Sequence, residues 1–118
     1  MKKKIVSFIV CLLLLTACDS NIFKTIDSNV AMDLIENEAI VIDVRTADEY
    51  NTGHIKDSIN IPVDNISSVE YDKDSVIIVY CASGMRSSNA AKTLIDLGYT
   101  NVYNLDGGLI NWGFELEE

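Results

Sequence analysis

The sequence is poor in the residues that build metal sites and disulfide frameworks. Its 118 residues include three cysteines and one histidine, and Cys81 is the only cysteine beyond residue 18. A structural zinc site needs about four cysteine or histidine ligands. We therefore expect no metal and no cofactor.

Positive charge is also scarce. Nine Lys and Arg residues stand against 18 Asp and Glu residues, which gives a net charge of -9 at pH 7. A surface this acidic repels phosphate backbones and anionic lipid headgroups. We therefore expect no nucleic-acid partner.

The first 17 residues have the layout of a secretory signal. Three lysines at positions 2–4 precede an apolar run from Ile5 to Leu15. This run is shorter than the roughly 20 residues of a membrane-spanning helix. Without residues 1–17 the chain keeps six basic and 18 acidic residues, a net charge of -12.

The segment Leu15-Thr16-Ala17-Cys18 resembles the lipobox of bacterial lipoproteins, in which the cysteine is lipidated and becomes the new N-terminus. The resemblance implies a signal peptide over 1–17, a tether over 18–23 that begins with lipidated Cys18, and a domain over 24–118. It also implies a membrane-anchored lipoprotein of the bacterial cell envelope, facing the extracytoplasmic side. The alternative is an ordinary cleaved signal followed by an incidental cysteine.

These processing steps decide how many thiols remain. Cys11 would leave with the signal, and lipidation would consume the thiol of Cys18. Cys81 would then be the only thiol, and no intramolecular disulfide could form. In an oxidising compartment a lone thiol is a liability unless it is buried or functional. Cys81 is therefore the first candidate for chemistry.

Strands and helices are predicted to alternate along residues 24–118. Apart from Asp43 and Ser75, the runs 39–44 and 75–80 are apolar and rich in β-branched residues, as is typical of strands covered on both faces. Shorter strands are predicted at 24–26, 58–62 and 101–104. Helices are predicted from a cap at Asp27 or Ser28 to Glu36, at 46–50, at 86–97 and from 106 to 112, with one turn at 64–68. This alternation predicts an α/β fold, a small parallel sheet of about five strands with helices on both faces.

Three polar or reactive residues lie where predicted strands end. Asp43, Arg45 and Cys81 fall at the carboxyl ends of parallel strands, where open α/β sheets bind ligands. Residues Cys81 to Arg86 are predicted to form a tight loop whose backbone N–H groups, with the next helix N-terminus, hold an anion. Such surroundings lower the pKa of a thiol from about 8.5. The sequence therefore predicts that Cys81 is a nucleophilic thiolate.

Four segments resemble the rhodanese sulfurtransferase family, in the order that the family shows. They are Asp43-Val44-Arg45 with Glu49-Tyr50, Gly53-His54-Ile55 with Ser58-Ile59-Asn60-Ile61-Pro62, Cys81-Ala82-Ser83-Gly84-Met85-Arg86-Ser87, and Gly107-Gly108 with Trp112. The resemblance extends over residues 24–113. The chain departs from the family in its short ending after Trp112, which lacks a proline.

The resemblance implies a rhodanese-like fold and the transfer of a sulfane sulfur. Cys81 would take sulfur from thiosulfate or a persulfide, hold it as a cysteine persulfide, and pass it to cyanide, a thiol or a partner protein. Arg86 would help to bind the anionic donor. The residues expected to contact substrate are Arg45, Ala82, Ser83, Gly84, Met85, Arg86 and Ser87.

Three further residues are predicted to support the site. Asp43, together with Arg45, is favoured as structural, because a carboxylate at a strand end can bind the backbone N–H groups of neighbouring loops. Glu49 either pairs with an arginine and orients the loop or is a solvated surface residue. His54 is favoured as structural rather than as a general base, since thiolate chemistry does not require one.

Other functions remain open at this point. The loop could carry sulfur or bind an anion for a partner without turnover, and a purely structural domain would normally have lost the cysteine. Phosphatase or arsenate-reductase activity, known from proteins of related fold, is a less favoured enzyme function. The related phosphatases have five residues between cysteine and arginine, whereas four separate Cys81 from Arg86.

Overall fold

The computed structural model describes residues 22–118. The predicted signal peptide and Cys18 lie outside these residues. The described strands are β1 (Lys24–Ile26), β2 (Ile40–Asp43), β3 (His54–Ile55), β4 (Ile59–Asn60), β5 (Val76–Tyr80), β6 (Asn101–Leu105) and β7 (Leu116–Glu117). The described helices are α1 (Ser28–Glu36), α2 (Ala47–Thr52) and α3 (Met85–Asp96), with 3-10 turns at Val63–Ser68 and Gly108–Asn111.

Five strands form one sheet in the order β1-β6-β5-β2-β4, and all neighbouring strands are parallel. The central strand β5 is buried on both faces, since Ile77 and Val79 alternate with Ile78 and Tyr80. The first pair packs with Ala90 and other residues of α3, and the second pair lies in a cluster with residues of α1. The predicted parallel α/β sheet with helices on both faces is confirmed.

Local hydrogen bonds explain where two helices begin. The Asp27 carboxylate accepts from the Val30 N–H at 2.9 Å and caps α1. Thr46 caps α2 through a capping box, in which its side chain accepts from the Glu49 N–H and the Glu49 carboxylate accepts from the Thr46 N–H. A capped first turn satisfies backbone donors that would otherwise lack partners.

The end of the chain forms a pairing that the sequence did not predict. Strand β7 runs antiparallel to β3 and places Ile55 opposite Leu116. The segment after Gly107 is a 3-10 turn of four residues rather than a longer helix. The two-residue strands β3 and β7 are too short to give a periodic signal in the sequence.

Among residues 22–118, no helix combines the length and the apolar character needed to cross a membrane.

The turn at Gly107 and Gly108 supports the segment that follows β5. Gly108 has a φ of +55°, and the next two residues donate backbone hydrogen bonds to Cys81 and Ala82. The Leu109 N–H binds the Cys81 carbonyl oxygen at 3.0 Å, and the Ile110 N–H binds the Ala82 carbonyl oxygen at 3.1 Å. The two backbone segments therefore lie in direct contact, with no space for a side chain at Gly108.

We expect Gly108→Ala to destabilise the fold by about 2 to 4 kcal/mol, from backbone strain and overpacking. A Cβ at this position would overlap the Cys81 carbonyl oxygen and lie 2.7 Å from the Ala82 carbonyl carbon. Urea unfolding measures the change. Gly113→Ala is the matched control, because a Cβ at Gly113 meets nothing within 4 Å. Equal stability of the two variants would contradict the close contact.

Candidate active site

The segment from Cys81 to Arg86, here called the cysteine loop, joins β5 to α3. Gly84 precedes α3 with a φ of +107°, a left-handed backbone conformation that favours glycine. The chain can therefore turn sharply and bring the first N–H groups of α3 back toward Cys81. The loop lies at the carboxyl end of the central strand, as predicted.

The sulfur of Cys81 lies at the floor of the cysteine loop. The residue is 1% exposed, and the Gly84 N–H donates to Sγ at 3.1 Å. The Ser87 hydroxyl lies 3.5 Å from the same sulfur. Burial raises the pKa of Cys81, but hydrogen bonds from Ser87 and from the Gly84 and Ser83 backbone outweigh it, so the net pKa is lowered. The geometry favours a thiolate.

Ser87 is fully buried and has a second partner. Its hydroxyl lies 2.5 Å from Oδ1 of Asn104, which is on β6, and Nδ2 of Asn104 donates to the Gly84 carbonyl oxygen at 3.4 Å. The sequence analysis did not single out Asn104. In the sequence, Asn104 is marked only as a polar residue between the apolar residues of a buried strand. This pattern is too common to indicate a functional site by itself.

Arg86 extends from the first turn of α3 to Glu49 in α2. The guanidinium forms two hydrogen bonds with the carboxylate, at 2.8 Å and 3.1 Å. This contact, with the backbone hydrogen bond of Thr46, lowers the pKa of Glu49 to about 2. Both side chains are more than a third exposed. Glu49 therefore orients Arg86 and neutralises much of its charge, in line with the pairing alternative.

Asp43 and Arg45 form a buried ion pair at the end of β2. Asp43 is 0% exposed, and its carboxylate accepts from Nε and Nη2 of Arg45 at 3.0 Å and 2.7 Å. Nη2 also donates to the Gly53 carbonyl oxygen at 2.6 Å, and the Asn60 amide binds the carbonyl oxygens of both residues. Arg45 was predicted to contact substrate. Its guanidinium binds Asp43 and the end of α2, in line with the structural role that the sequence also favoured, and contact with substrate stays a prediction.

The contacts of His54 are made with Tyr50 and Glu117. Its ring stacks on Tyr50 with 3.8 Å between centroids, and Nδ1 lies 2.9 Å from the Tyr50 carbonyl oxygen. Nε2 is 3.8 Å from a carboxylate oxygen of Glu117 in β7. These contacts favour the structural role over that of a general base.

An open cavity of about 350 Å³ lies beside the cysteine loop. Its lining residues are Ser83, Gly84, Met85, Ser88, Asn104, Asp106 and Gly107. Met85 is 74% exposed at its rim. Ala82 contacts the Gly108 turn through its backbone, so the predicted loop residues do not all face the same side. Within residues 22–118, no three His, Cys, Asp or Glu side chains cluster closely enough to hold a metal.

A family model for the Rhodanese-like domain matches residues 28–115 of the chain. The chain belongs to the rhodanese-like family. The resemblance predicted from the four sequence segments is thereby confirmed at the level of the family.

Named relatives support the same conclusion. Thiosulfate sulfurtransferase GlpE of Pseudomonas paraeruginosa is 39% identical over 97 residues, which cover 79% of this chain and 86% of that protein. A tRNA uridine(34) hydroxylase of Erwinia tasmaniensis is 32% identical over 103 residues, 80% of this chain but 29% of that protein. The crystal structure of a rhodanese-related protein from Thermoplasma volcanium has a TM-score of 0.72 at 29% identity, covering 80% of this chain and 98% of that chain.

We expect the Glu49 carboxyl to titrate near pH 2 in the folded protein. The pKa of Glu49 is lowered from an ordinary value of about 4.3. The ion pair of Glu49 with Arg86 therefore stabilises the fold fully above about pH 4.3, and this stabilisation is lost as the pH falls toward 2. NMR titration of the carboxyl carbon measures the midpoint.

Substitution of Arg86 tests the cause of this shift. Arg86→Met should move the midpoint of Glu49 back toward its ordinary value. Lys92→Met removes a charge from the same helix without touching the pair and should leave the midpoint near 2. A midpoint near 4 in the unsubstituted protein would show that the pair does not form.

Proposed function

We propose that this rhodanese-like protein is a sulfurtransferase that works through a persulfide on Cys81. The observation that carries the proposal is the recessed sulfur, which receives the Gly84 N–H at 3.1 Å at the N-terminal end of α3. A thiolate is the nucleophilic form of cysteine. The similarity to thiosulfate sulfurtransferases over most of the chain supports thiosulfate as a donor.

The reaction has two displacement steps. The Cys81 thiolate attacks the outer sulfur of thiosulfate, the S–S bond breaks, and sulfite leaves with the electron pair. Cyanide or a thiolate then attacks the outer sulfur of the persulfide, and Sγ leaves as the thiolate. No oxidant and no external proton are needed for either displacement, and the cysteine returns to its first state.

The loop is suited to hold the persulfide anion. Backbone N–H groups at the start of α3 present partial positive charge to the sulfur. These donors are part of the backbone, so they need no reorganisation when charge moves from the inner to the outer sulfur. Four residues between Cys81 and Arg86, rather than five, favour sulfur over phosphate as the cargo.

Arg86 attracts the anionic donor in this mechanism. Its guanidinium is already paired with Glu49, but its side chain is 39% exposed and keeps surface toward solvent. A paired arginine attracts a dianion less strongly than a free one, because the two charges largely cancel at a distance. The site is therefore suited to uncharged or singly charged persulfide donors as well as to thiosulfate.

A sulfur carrier without turnover is the second candidate. The match to the tRNA uridine(34) hydroxylase covers less than a third of that protein, so a rhodanese-like domain also occurs as one part of a longer chain. Such a domain can pass sulfur to a partner without releasing a small product. The two functions differ in whether Cys81 turns over with free donor and acceptor.

We expect the full-length protein in detergent to form thiocyanate from thiosulfate and cyanide, and Cys81→Ser to form none, because serine cannot form a persulfide. Mass spectrometry after thiosulfate treatment should find one added sulfur on Cys81. Persulfide without thiocyanate would favour the carrier. Absence of both would remove the sulfur-transfer proposal.

The same assay examines Arg86. Arg86→Ala should raise the KM for thiosulfate by about tenfold, the loss expected for one charge-assisted contact of about 1.4 kcal/mol. Lys92→Ala is the matched control, since Lys92 is exposed farther along α3. An unchanged KM in Arg86→Ala would remove Arg86 from the donor site.

We also propose that the protein is anchored to the outer face of a bacterial membrane by lipid on Cys18. The basic start, the apolar run to Leu15 and the Ala17-Cys18 pair support this location. Two or three acyl chains give stable anchoring, whereas a single myristoyl chain binds only marginally.

Expression in a bacterium tests the anchor. Cys18→Ser should move the protein from the membrane fraction to the soluble fraction and abolish the mass of the lipid, while Cys11→Ser should remain in the membrane. A Cys18→Ser protein that stays lipidated, or an unsubstituted protein that is soluble, would contradict the anchor.

A further inference from the structure

Ser87 has one hydroxyl hydrogen and two acceptors within reach. Its oxygen lies 2.5 Å from Oδ1 of Asn104 and 3.5 Å from the Cys81 sulfur. A hydroxyl donates one hydrogen bond at a time. The Ser87 hydroxyl therefore cannot donate its hydrogen to Asn104 and to a Cys81 thiolate at the same time.

The orientation of Asn104 decides which acceptor receives the hydrogen. Its Nδ2 lies 3.4 Å from the Gly84 carbonyl oxygen, to which an amide N–H can donate. Reversing the amide would place two oxygens at that distance without a hydrogen between them. Oδ1 therefore faces Ser87, and because an amide oxygen only accepts, the Ser87 hydroxyl donates to it. The shorter contact is the stronger competitor for the hydrogen.

We propose that Asn104 is a positioning residue that competes with the Cys81 sulfur for the hydroxyl hydrogen of Ser87. Because the contact with Asn104 is the shorter of the two, the hydrogen bond from the hydroxyl to the sulfur is weakened, and the backbone N–H groups carry more of the stabilisation of a thiolate.

The hydrogen bond to Asn104 affects how reactive the Cys81 thiolate is. This consequence rests on the sulfur transfer proposed above. The intrinsic nucleophilicity of a thiolate falls as its pKa falls. By weakening one hydrogen bond to the sulfur, Asn104 leaves the sulfur more basic and more reactive than a fully hydrogen-bonded thiolate would be. The hydrogen bond between the Ser87 hydroxyl and Asn104 does not itself depend on any sulfur donor.

The charged groups around Cys81 are known, and none is altered by a change at Asn104. Arg86 of α3 and Glu49 of α2 form one pair, and Asp43 and Arg45 form the other at the end of β2. Asp106 follows β6 and lines the cavity beside the loop. A neutral substitution at Asn104 thus changes the hydrogen bonds of Ser87 without changing charge.

The pH dependence of iodoacetamide alkylation at Cys81, read on the Cys81 peptide of the full chain, tests the proposal. We expect Asn104→Leu, which keeps a γ-branched side chain without the hydrogen bonds of the amide, to lower the thiol pKa by about one unit, a tenfold gain in the thiolate-to-thiol ratio. Ser87→Ala alone should shift the pKa by less than about half a unit. The double variant should match Ser87→Ala, because the effect passes through the hydroxyl.

Three results would overturn the proposal. They are an unchanged or raised pKa in a folded Asn104→Leu protein, a double variant that keeps the full shift of Asn104→Leu, and a rise of a whole unit in Ser87→Ala alone. Asn104→Ala, which adds no atoms, replaces the leucine variant if circular dichroism shows that the latter is unfolded. Ser87→Ala stays informative in either case.

Alkylation needs neither thiosulfate nor an acceptor. The position of the hydroxyl hydrogen is therefore tested even in a protein that shows no sulfur transfer. A lowered pKa in Asn104→Leu without any thiocyanate formation would support the role of Asn104 and reject the proposed activity. Thiocyanate formation with no pKa change would support the proposed activity and reject the role of Asn104.

Discussion

The site depends on a contact between two backbone segments, the turn at Gly108 and the start of the cysteine loop. The Leu109 and Ile110 N–H groups bind the carbonyl oxygens of Cys81 and Ala82 from behind. With these carbonyls engaged on one side, the amide of Gly84 is free to face the sulfur on the other. The Cys81 sulfur is thus positioned by main-chain atoms, which no side-chain substitution within the loop removes directly.

A second, buried constraint holds the neighbouring side of the sheet. Asp43 and Arg45 bind each other, the end of α2 and Asn60. Tyr80 adds a hydroxyl that accepts from the Ile55 N–H, and its burial raises the pKa of this phenol. A buried ion pair offsets its desolvation only when further hydrogen bonds satisfy both partners, as they do here. Thus α2 is held where Glu49 can reach Arg86.

Most of the fold was predictable because its signals are local. Continuous β-branched runs indicated β2 and β5, a cap at Asp27 or Ser28 indicated the start of α1, and Cys81 was marked by its place after a strand. What escaped prediction depends on atoms brought together from distant segments. The contact of the Arg45 guanidinium with Gly53 arises only when α2 packs beside the end of β2, and the contact of Asn104 with Ser87 only when β6 packs beside α3.

The course of α3 separates the two ends of the domain. Its first turn carries the cysteine loop, while Lys92 and Ile95 toward its other end line a cavity with Ile22, the first described residue. Twelve helical residues extend about 18 Å. The first described residues and the cysteine loop therefore lie toward opposite ends of this helix, so contacts made at one end need not cover the other.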